Sequence, residues 1–295
     1  MSASTPTPAS PLPLAVRSYG LSHPGRVRAN NEDVFVVGEL ARTLIVRHTN
    51  FPQPDATHSR HRGHVFLVAD GVGGHEAGDV ASRLGAACVE EFLLNTFRRV
   101  AAAPPTDGQT ALRELQAALR RADTRLFDAA DRHPEWRGMG TTLTLALASG
   151  RRLFVAHAGD SRGYLFSGGS LRRLTADHTF AADMARSGLI APSQQDHHPW
   201  RHVVTNLLGG TEPGVRAEVH LLDLHPGDTL LLCTDGLTDL VSETTTNLLI
   251  CATDLGPWTI AFAESALRSN GPVSVPQSPR QRPPSAGTRR GRETT

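Results

Sequence analysis

No lysine occurs anywhere in the 295-residue chain, so that all 30 basic residues are arginine. Catalysis through an amine side chain is therefore excluded. Cysteine is nearly as scarce. Cys88, Cys233 and Cys251 have neither an even count nor metal-ligand spacing, and each lies among apolar residues. Buried free thiols in a reducing compartment are the expectation. Charge of either sign hardly prevails: 30 basic against 29 acidic residues leave a formal net charge of +1. That balance gives no reason to expect a nucleic-acid partner. No apolar run approaches the roughly 18 residues that a membrane span requires, and no membrane partner is expected. The opening "MSASTPTPASPLPL" has no basic segment of the kind that begins a secretory signal. Residues 1–17 are expected to be a disordered leader, and the protein cytoplasmic and monomeric.

What is present is enough for a sizeable core, with 39% hydrophobic residues. Asn31 to Val37 is predicted to be a strand, with a second at Thr43 to Val46. The polar, proline-interrupted segment 47–64 is expected to be a surface loop. Val65 to Ala69 is a third predicted strand. Val80, Leu84, Cys88 and Phe92 recur as one face of a helix would require, and Leu112, Leu115, Leu119, Ala122 and Leu126 mark another. The breaker "AAAPPTDGQ" between them predicts an antiparallel helix pair. Strands from Thr141, Leu153 and Gly163, separated by glycine turns, predict an antiparallel meander. A short helix follows within 176–190, and Thr229 to Cys233 is a further strand. This order argues for sheets with helices packed outside them, not for strict βαβ alternation.

Two of these strands deliver an Asp-Gly pair: Asp70 with Gly71, and Asp235 with Gly236. Four glycines lie within eight positions of Asp70, and such residues permit positive φ or close backbone approach. Carboxylate and carbonyl oxygens placed there suit magnesium or manganese, although an Asp-Gly pair also serves as an ordinary turn. Glu32 and Asp33 put adjacent acids at the start of an early strand. Only one of them can point directly into a site unless a bulge intervenes.

Six segments in order, "VRANNED" (27–33), "VADGVGGHEAG" (68–78), "GTTLTLAL" (140–147), "AGDSRGYL" (158–165), "LTADHT" (174–179) and "LLLCTDGLTDLV" (230–241), resemble the motifs of the metal-dependent protein phosphatase family, the PP2C/PPM class, in its bacterial form. The resemblance runs from about Tyr19 to Leu267. It implies an α+β fold, a four-layer α/β/β/α sandwich whose two central antiparallel sheets are flanked by helix pairs. It also implies hydrolysis of phosphoserine and phosphothreonine in proteins by metal-activated water. By position, Asp70 would bridge two Mn2+ or Mg2+ ions, with Glu32 and the Gly71 carbonyl holding one and Asp235 the other. Asp160 would recruit a third, weaker ion. Asp33 would orient the attacking water, and Arg28 would clamp the substrate phosphate. His75 matches a histidine that could protonate the leaving oxygen, or serve structurally. His178 and the run 193–202 fall where the family carries a mobile flap, and no zinc site is expected from the histidines there. Implied partners are phosphorylated proteins, among them a serine/threonine kinase or its substrates.

The chain departs from the family at its end. Where "GGxDNxTxVxV" is the family pattern, the sequence reads "SNGPVSVPQSPRQRPP", which puts Val273 at the place of a metal-binding Asp. Residues 18–270 are therefore expected to form the phosphatase domain, and 271–295 a disordered Pro/Arg-rich tail. Two explanations stand: the chain manages without that carboxylate, or the reading frame was lost near residue 272, as an arginine-only, GC-rich coding composition favours. The corresponding alternative function is a weakly active or inactive pseudophosphatase that acts as a regulatory binding module.

Overall fold

The computed structural model describes residues 16–24, 30–43, 58–73, 76–101, 108–252 and 259–263. Its strands are β1 (Arg17–Ser18), β2 (Asp33–Thr43), β3 (His58–Val72), β4 (Gly140–Thr141), β5 (Leu143–Ser149), β6 (Arg152–Ala158), β7 (Arg162–Ser167), β8 (Ser170–Arg173), β9 (Leu208–Gly209), β10 (Glu218–Asp223), β11 (Thr229–Cys233) and β12 (Thr259–Ala263). The helices are α1 (Glu76–Ala101), α2 (Gly108–Arg132), α3 (Phe180–Arg186), α4 (Asp235–Thr238) and α5 (Glu243–Ala252). One sheet runs β10-β6-β5-β3-β4-β9 with β2 also on β3, and the other runs β1-β12-β11-β7-β8.

Side-chain alternation along β3 assigns its two faces. Val65, Leu67 and Ala69 pack with Ala86, Val89, Leu115 and Leu119 of α1 and α2. Phe66 and Val68 pack with Leu165, Leu230 and Leu232 of the other sheet. Period-two geometry then puts Asp70 on the inter-sheet face, at the strand's end. On the outer side of the second sheet, Tyr164, Leu231 and Cys233 meet Leu237 of α4 and Ile250 of α5. The layers are thus helix, sheet, sheet, helix, as the α+β sandwich requires.

The α2 face is buried where the leucine spacing placed it. On α1 the predicted face holds at Phe92, which is buried, but is displaced by one position in the earlier turns. Val80, Leu84 and Cys88 are only half-buried, whereas Ala81, Ala86 and Val89 are buried. Small residues let this helix lie close to the sheet, and a Cβ on Gly85 would come within 3.0 Å of Thr141 Cγ2. Cys233 is fully buried and Cys88 is not; Cys251 has no described side chain.

Several expectations need correction. Segment 58–64 is not loop but the first half of β3, because β2 continues to Thr43 and pairs with it across a bulge between Ala41 and Thr43. Thr43 accordingly ends β2 instead of opening a second strand, and residues 44–46 lie outside the described residues. Strands β5 and β6 form a hairpin, but β7 leaves the meander and joins β11 and β8 in the other sheet. The crossing occurs at Gly159, whose φ of +118° turns the chain in a way L side chains rarely adopt. The sheets are not wholly antiparallel, since β12 lies parallel to both β11 and β1. Arg17, expected in the leader, is paired there. Residues 1–15 and the tail from 271 lie outside the described residues.

Candidate metal centre

An open cleft of about 780 Å³ lies at one end of the two sheets, and Glu32, Asp70, Asp160, Asp235 and Asp239 line it. The acids arrive from four separate stretches of chain, Asp235 and Asp239 together at the two ends of α4. Asp70 stands near the end of β3, where the backbone is pinned from both sides: its N–H donates to Thr142 Oγ1 (2.9 Å), while its carbonyl accepts from Thr142 N (2.9 Å) and Thr141 Oγ1 (3.0 Å). Asp33 lies directly opposite Asp70 in the β2–β3 ladder. Thr234 Oγ1, just before α4, donates to Asp33 Oδ2 at 3.2 Å. The nearby Asp33 carboxyl is among the causes that raise Asp70.

Glu32 takes the other face, consistent with strand alternation. Its carbonyl accepts from Ser82 Oγ (2.6 Å) and Gly71 N (3.3 Å). Its carboxylate lies over Gly78, where a Cβ would sit 2.6 Å from Glu32 Oε2. A Cβ on Gly71 would be 2.2 Å from the Gly78 carbonyl oxygen. Glycine at 71 and 78 therefore answers a need for close approach, which brings the strand end, the start of α1 and the Glu32 carboxylate together.

Asp160 follows the Gly159 crossing and is 9% exposed. Burial, then the charges of Asp235 and Asp177, push its carboxyl up to about 7. Asp70 is raised well above the usual carboxylate range by burial first, and then by Asp33, Asp235 and Asp160. Asp235 opens α4, and Asp239 caps its end. Burial and Asp235 also raise Asp239. His202 faces both acids, with Nδ1 3.8 Å from Asp235 Oδ2 and Nε2 3.6 Å from Asp239 Oδ2.

The acids Glu32, Asp33, Asp70, Asp160 and Asp235 thus come to one place, together with Gly71. Arg28 and His75 lie outside the described residues. His178, placed in the flap region by sequence, is instead buried beneath Asp160, on Gly159 N (3.1 Å). Asp239, His202, Thr142 and Thr234 were missed. Asp239 had a signal, an acid four residues after Asp235 and so on the same helical face, and His202 lay within the run 193–202 assigned to the flap.

Such a cluster is electrostatically incomplete, because like charges and burial resist full ionisation, and apart from the His202 ring beside Asp235 and Asp239 its donors are oxygens. Divalent hard cations fit that donor set.

A family model described as protein phosphatase 2C matches residues 46–268. Serine/threonine protein phosphatase PstP of Mycobacterium tuberculosis is 34% identical over 262 residues, covering 89% of this chain and 44% of that protein. The chain thus spans less than half the length of that relative. Serine/threonine phosphatase stp of Listeria monocytogenes is 33% identical over 199 residues, 68% of this chain and 76% of that one. Among solved structures, the catalytic domain of PstP in complex with two manganese ions is 32% identical, with a TM-score of 0.59 over 78% of this chain and 82% of that one.

Proposed function

The chain belongs to the protein phosphatase 2C family, and from that membership we propose that it hydrolyses phosphoserine and phosphothreonine in proteins with the help of bound manganese or magnesium. The observation that carries this reading is the convergence of Asp70, Asp160 and Asp235 on one cleft, with Asp33 opposite Asp70 and Asp70 raised by the other three. Asp70 would be shared by two ions, with Glu32 and the Gly71 carbonyl completing one site and Asp235 the other. Asp160, with Asp235 and Asp239 near it, would serve a third. When bound, such ions supply positive charge against the phosphoryl oxygens and lower the pKa of water.

The chain's own residues hold the geometry. Asp33, fixed by Thr234, offers an oriented acceptor for a proton of the attacking water. Thr142 and Thr141 keep Asp70 from receding along β3. Arg28 is proposed to bind two phosphate oxygens through its planar guanidinium, and His75 to return a proton to the leaving oxygen. A direct in-line displacement needs no enzyme nucleophile. Burial holds the Cys233 thiol up at about 12, which suits none.

Partners of this chemistry are phosphorylated proteins, a serine/threonine kinase or its substrates among them, with the protein acting as a cytoplasmic monomer. No helix among the described residues is long and apolar enough to cross a membrane. The test is phosphate release from a phosphothreonine peptide with manganese, with magnesium and with a chelator. Release that depends on the metal supports the proposal; a full-length, folded protein that releases none under any condition sinks it.

A further inference from the structure

Beneath the cleft, His157, His178 and Glu218 approach closely enough to hold a metal ion. Their hydrogen bonds indicate another use. His157 Nε2 faces two carbonyls, those of Gly159 and Ala176, each at 3.1 Å, and so it carries the hydrogen. Its Nδ1 then accepts from Thr144 Oγ1 at 2.9 Å. His178 Nδ1 faces two N–H donors, Gly159 N at 3.1 Å and Asn206 Nδ2 at 2.9 Å, and so it is the acceptor nitrogen. The orientation of Asn206 is set independently, because its Nδ2 donates to the Arg216 carbonyl and its Oδ1 accepts from Arg216 N. His178 Nε2 is left to donate toward Glu218 Oε2, 3.5 Å away. Both rings are fixed in one tautomer, stacked with centroids 4.9 Å apart.

Everything polar on Gly159 is held by these two residues. Its N–H goes to the His178 ring, and its carbonyl accepts from both His178 N (2.8 Å) and the His157 ring. This is the residue whose positive φ sends the chain across from one sheet to the other, and the next residue is Asp160. No other residue can occupy the place cheaply, since a Cβ on Gly159 would lie 2.5 Å from Thr142 Cβ. The clamp thus fixes the peptide from which the Asp160 side chain is hung.

We propose that His178, seconded by His157, is a positioning residue for Asp160: its ring holds the Ala158–Gly159 peptide, while its main-chain N–H and the His157 ring hold the Gly159 carbonyl, so that the peptide planes on both sides of Gly159 present this carboxylate for divalent-cation binding. The proposal rests on the metal-dependent phosphatase reading for what Asp160 does, but the clamp itself can be measured without turnover. Burial and the neighbouring His178 lower His157 to about 4, in keeping with a ring that stays neutral at working pH.

The experiment compares His178→Asn and His178→Gln in the full chain. The Oδ1 of asparagine can take the place of Nδ1 and still accept from Gly159 N, whereas glutamine carries its acceptor further out, toward the Nε2 position. Expected results for H178Q are amide exchange at Gly159 faster by about tenfold, the factor one hydrogen bond of ordinary strength is worth, and a comparable weakening of the weakest manganese-binding phase in calorimetry. H178N should stay within about threefold of the parent in both, by the same measure. In an Asp160→Asn background, H178Q should weaken manganese binding no further, because its route to the ion runs through Asp160. Equal loss in H178N and H178Q, or an undiminished effect of H178Q in the D160N background, overturns the proposal. If the variants do not fold, the parent protein decides: imidazole 15N shifts must show His178 protonated at Nε2 and bare at Nδ1, and the opposite tautomer overturns it as well. Absence of metal-dependent turnover in the parent would count against the phosphatase reading alone, since exchange at Gly159 and the tautomer report on the clamp regardless.

Discussion

Asp33 and Asp70 stand directly opposite one another across β2 and β3, close enough that Asp33 raises the Asp70 carboxyl above the usual range. Two acids so placed on an inter-sheet face have little use in a folding core, where like charges repel and burial penalises both. Their proximity is instead what a pair of cations would require.

Replacing Asp70 by asparagine (D70N) should abolish metal-dependent turnover and weaken manganese binding while the fold survives. The substitution removes the charge that both ions would share, yet keeps the backbone contacts to Thr141 and Thr142. Calorimetry with manganese and a phosphatase assay on one preparation provide the check. Unchanged turnover at saturating metal would refute the shared-ligand assignment.

Arg28→Ala should act on phosphate rather than on metal. A charged hydrogen bond to phosphate is worth roughly 1.5 to 3 kcal/mol, so kcat/KM is expected to fall by about tenfold to a hundredfold with manganese affinity retained. Steady-state kinetics on a phosphothreonine peptide measure it. A loss under about twofold would reject the phosphate role, because it falls below what any such bond supplies.

The metal-free protein should lose stability as pH rises through the acid cluster's titration. Asp160, raised to about 7 by burial and by Asp235 and Asp177, binds a proton in the folded state over a window in which an unfolded Asp, near about 4, has already lost it. The folded state therefore holds more protons there, and stability declines with increasing pH. His157 contributes the opposite slope: its value of about 4 lies below the ordinary 6.5, so its contribution is lost as pH falls through that range. Melting curves of the parent and D160N, both metal-free, cancel the histidine. The parent should fall relative to D160N between about pH 5 and 7; parallel curves would contradict the assignment.

Gly159→Ala should destabilise far more than Gly150→Ala. Both glycines have positive φ, +118° and +59°, but only Gly159 would drive a Cβ into Thr142, while Gly150 faces open space. Strain and overpacking together predict roughly 2 to 6 kcal/mol at Gly159, against about 1 kcal/mol of backbone cost at Gly150. Chemical denaturation of the two variants makes the comparison. Equal losses would mean that the crossing between sheets is not sterically fixed.

The sequence by itself determined the apolar run of β3, the bounds of β11 and the acids that both deliver, because an apolar strand leading to Asp-Gly is a local pattern with a local cause. It determined the buried face of α2 as well, since leucines at helical spacing leave one choice. Periodicity cannot say which sheet a strand joins. The departure of β7 from the meander was decided by the turn at Gly159 and by partners on β11 and β8, some seventy residues further on for β11. Phe92 of α1 is buried as its spacing predicted, but the first half of that face could not be read from its larger residues, because close approach to the sheet selects for small ones at Ala81, Gly85 and Ala86. The same limit applied to the site. Asp70 and Asp235 were visible as motifs, but Thr142, Thr234 and His202 reach the cleft only through register and crossing geometry. His178 lay within a recognisable motif, and its place beneath Asp160 was still settled by tertiary structure, because a hydrogen bond between residues 159 and 178 leaves no trace in the spacing of either.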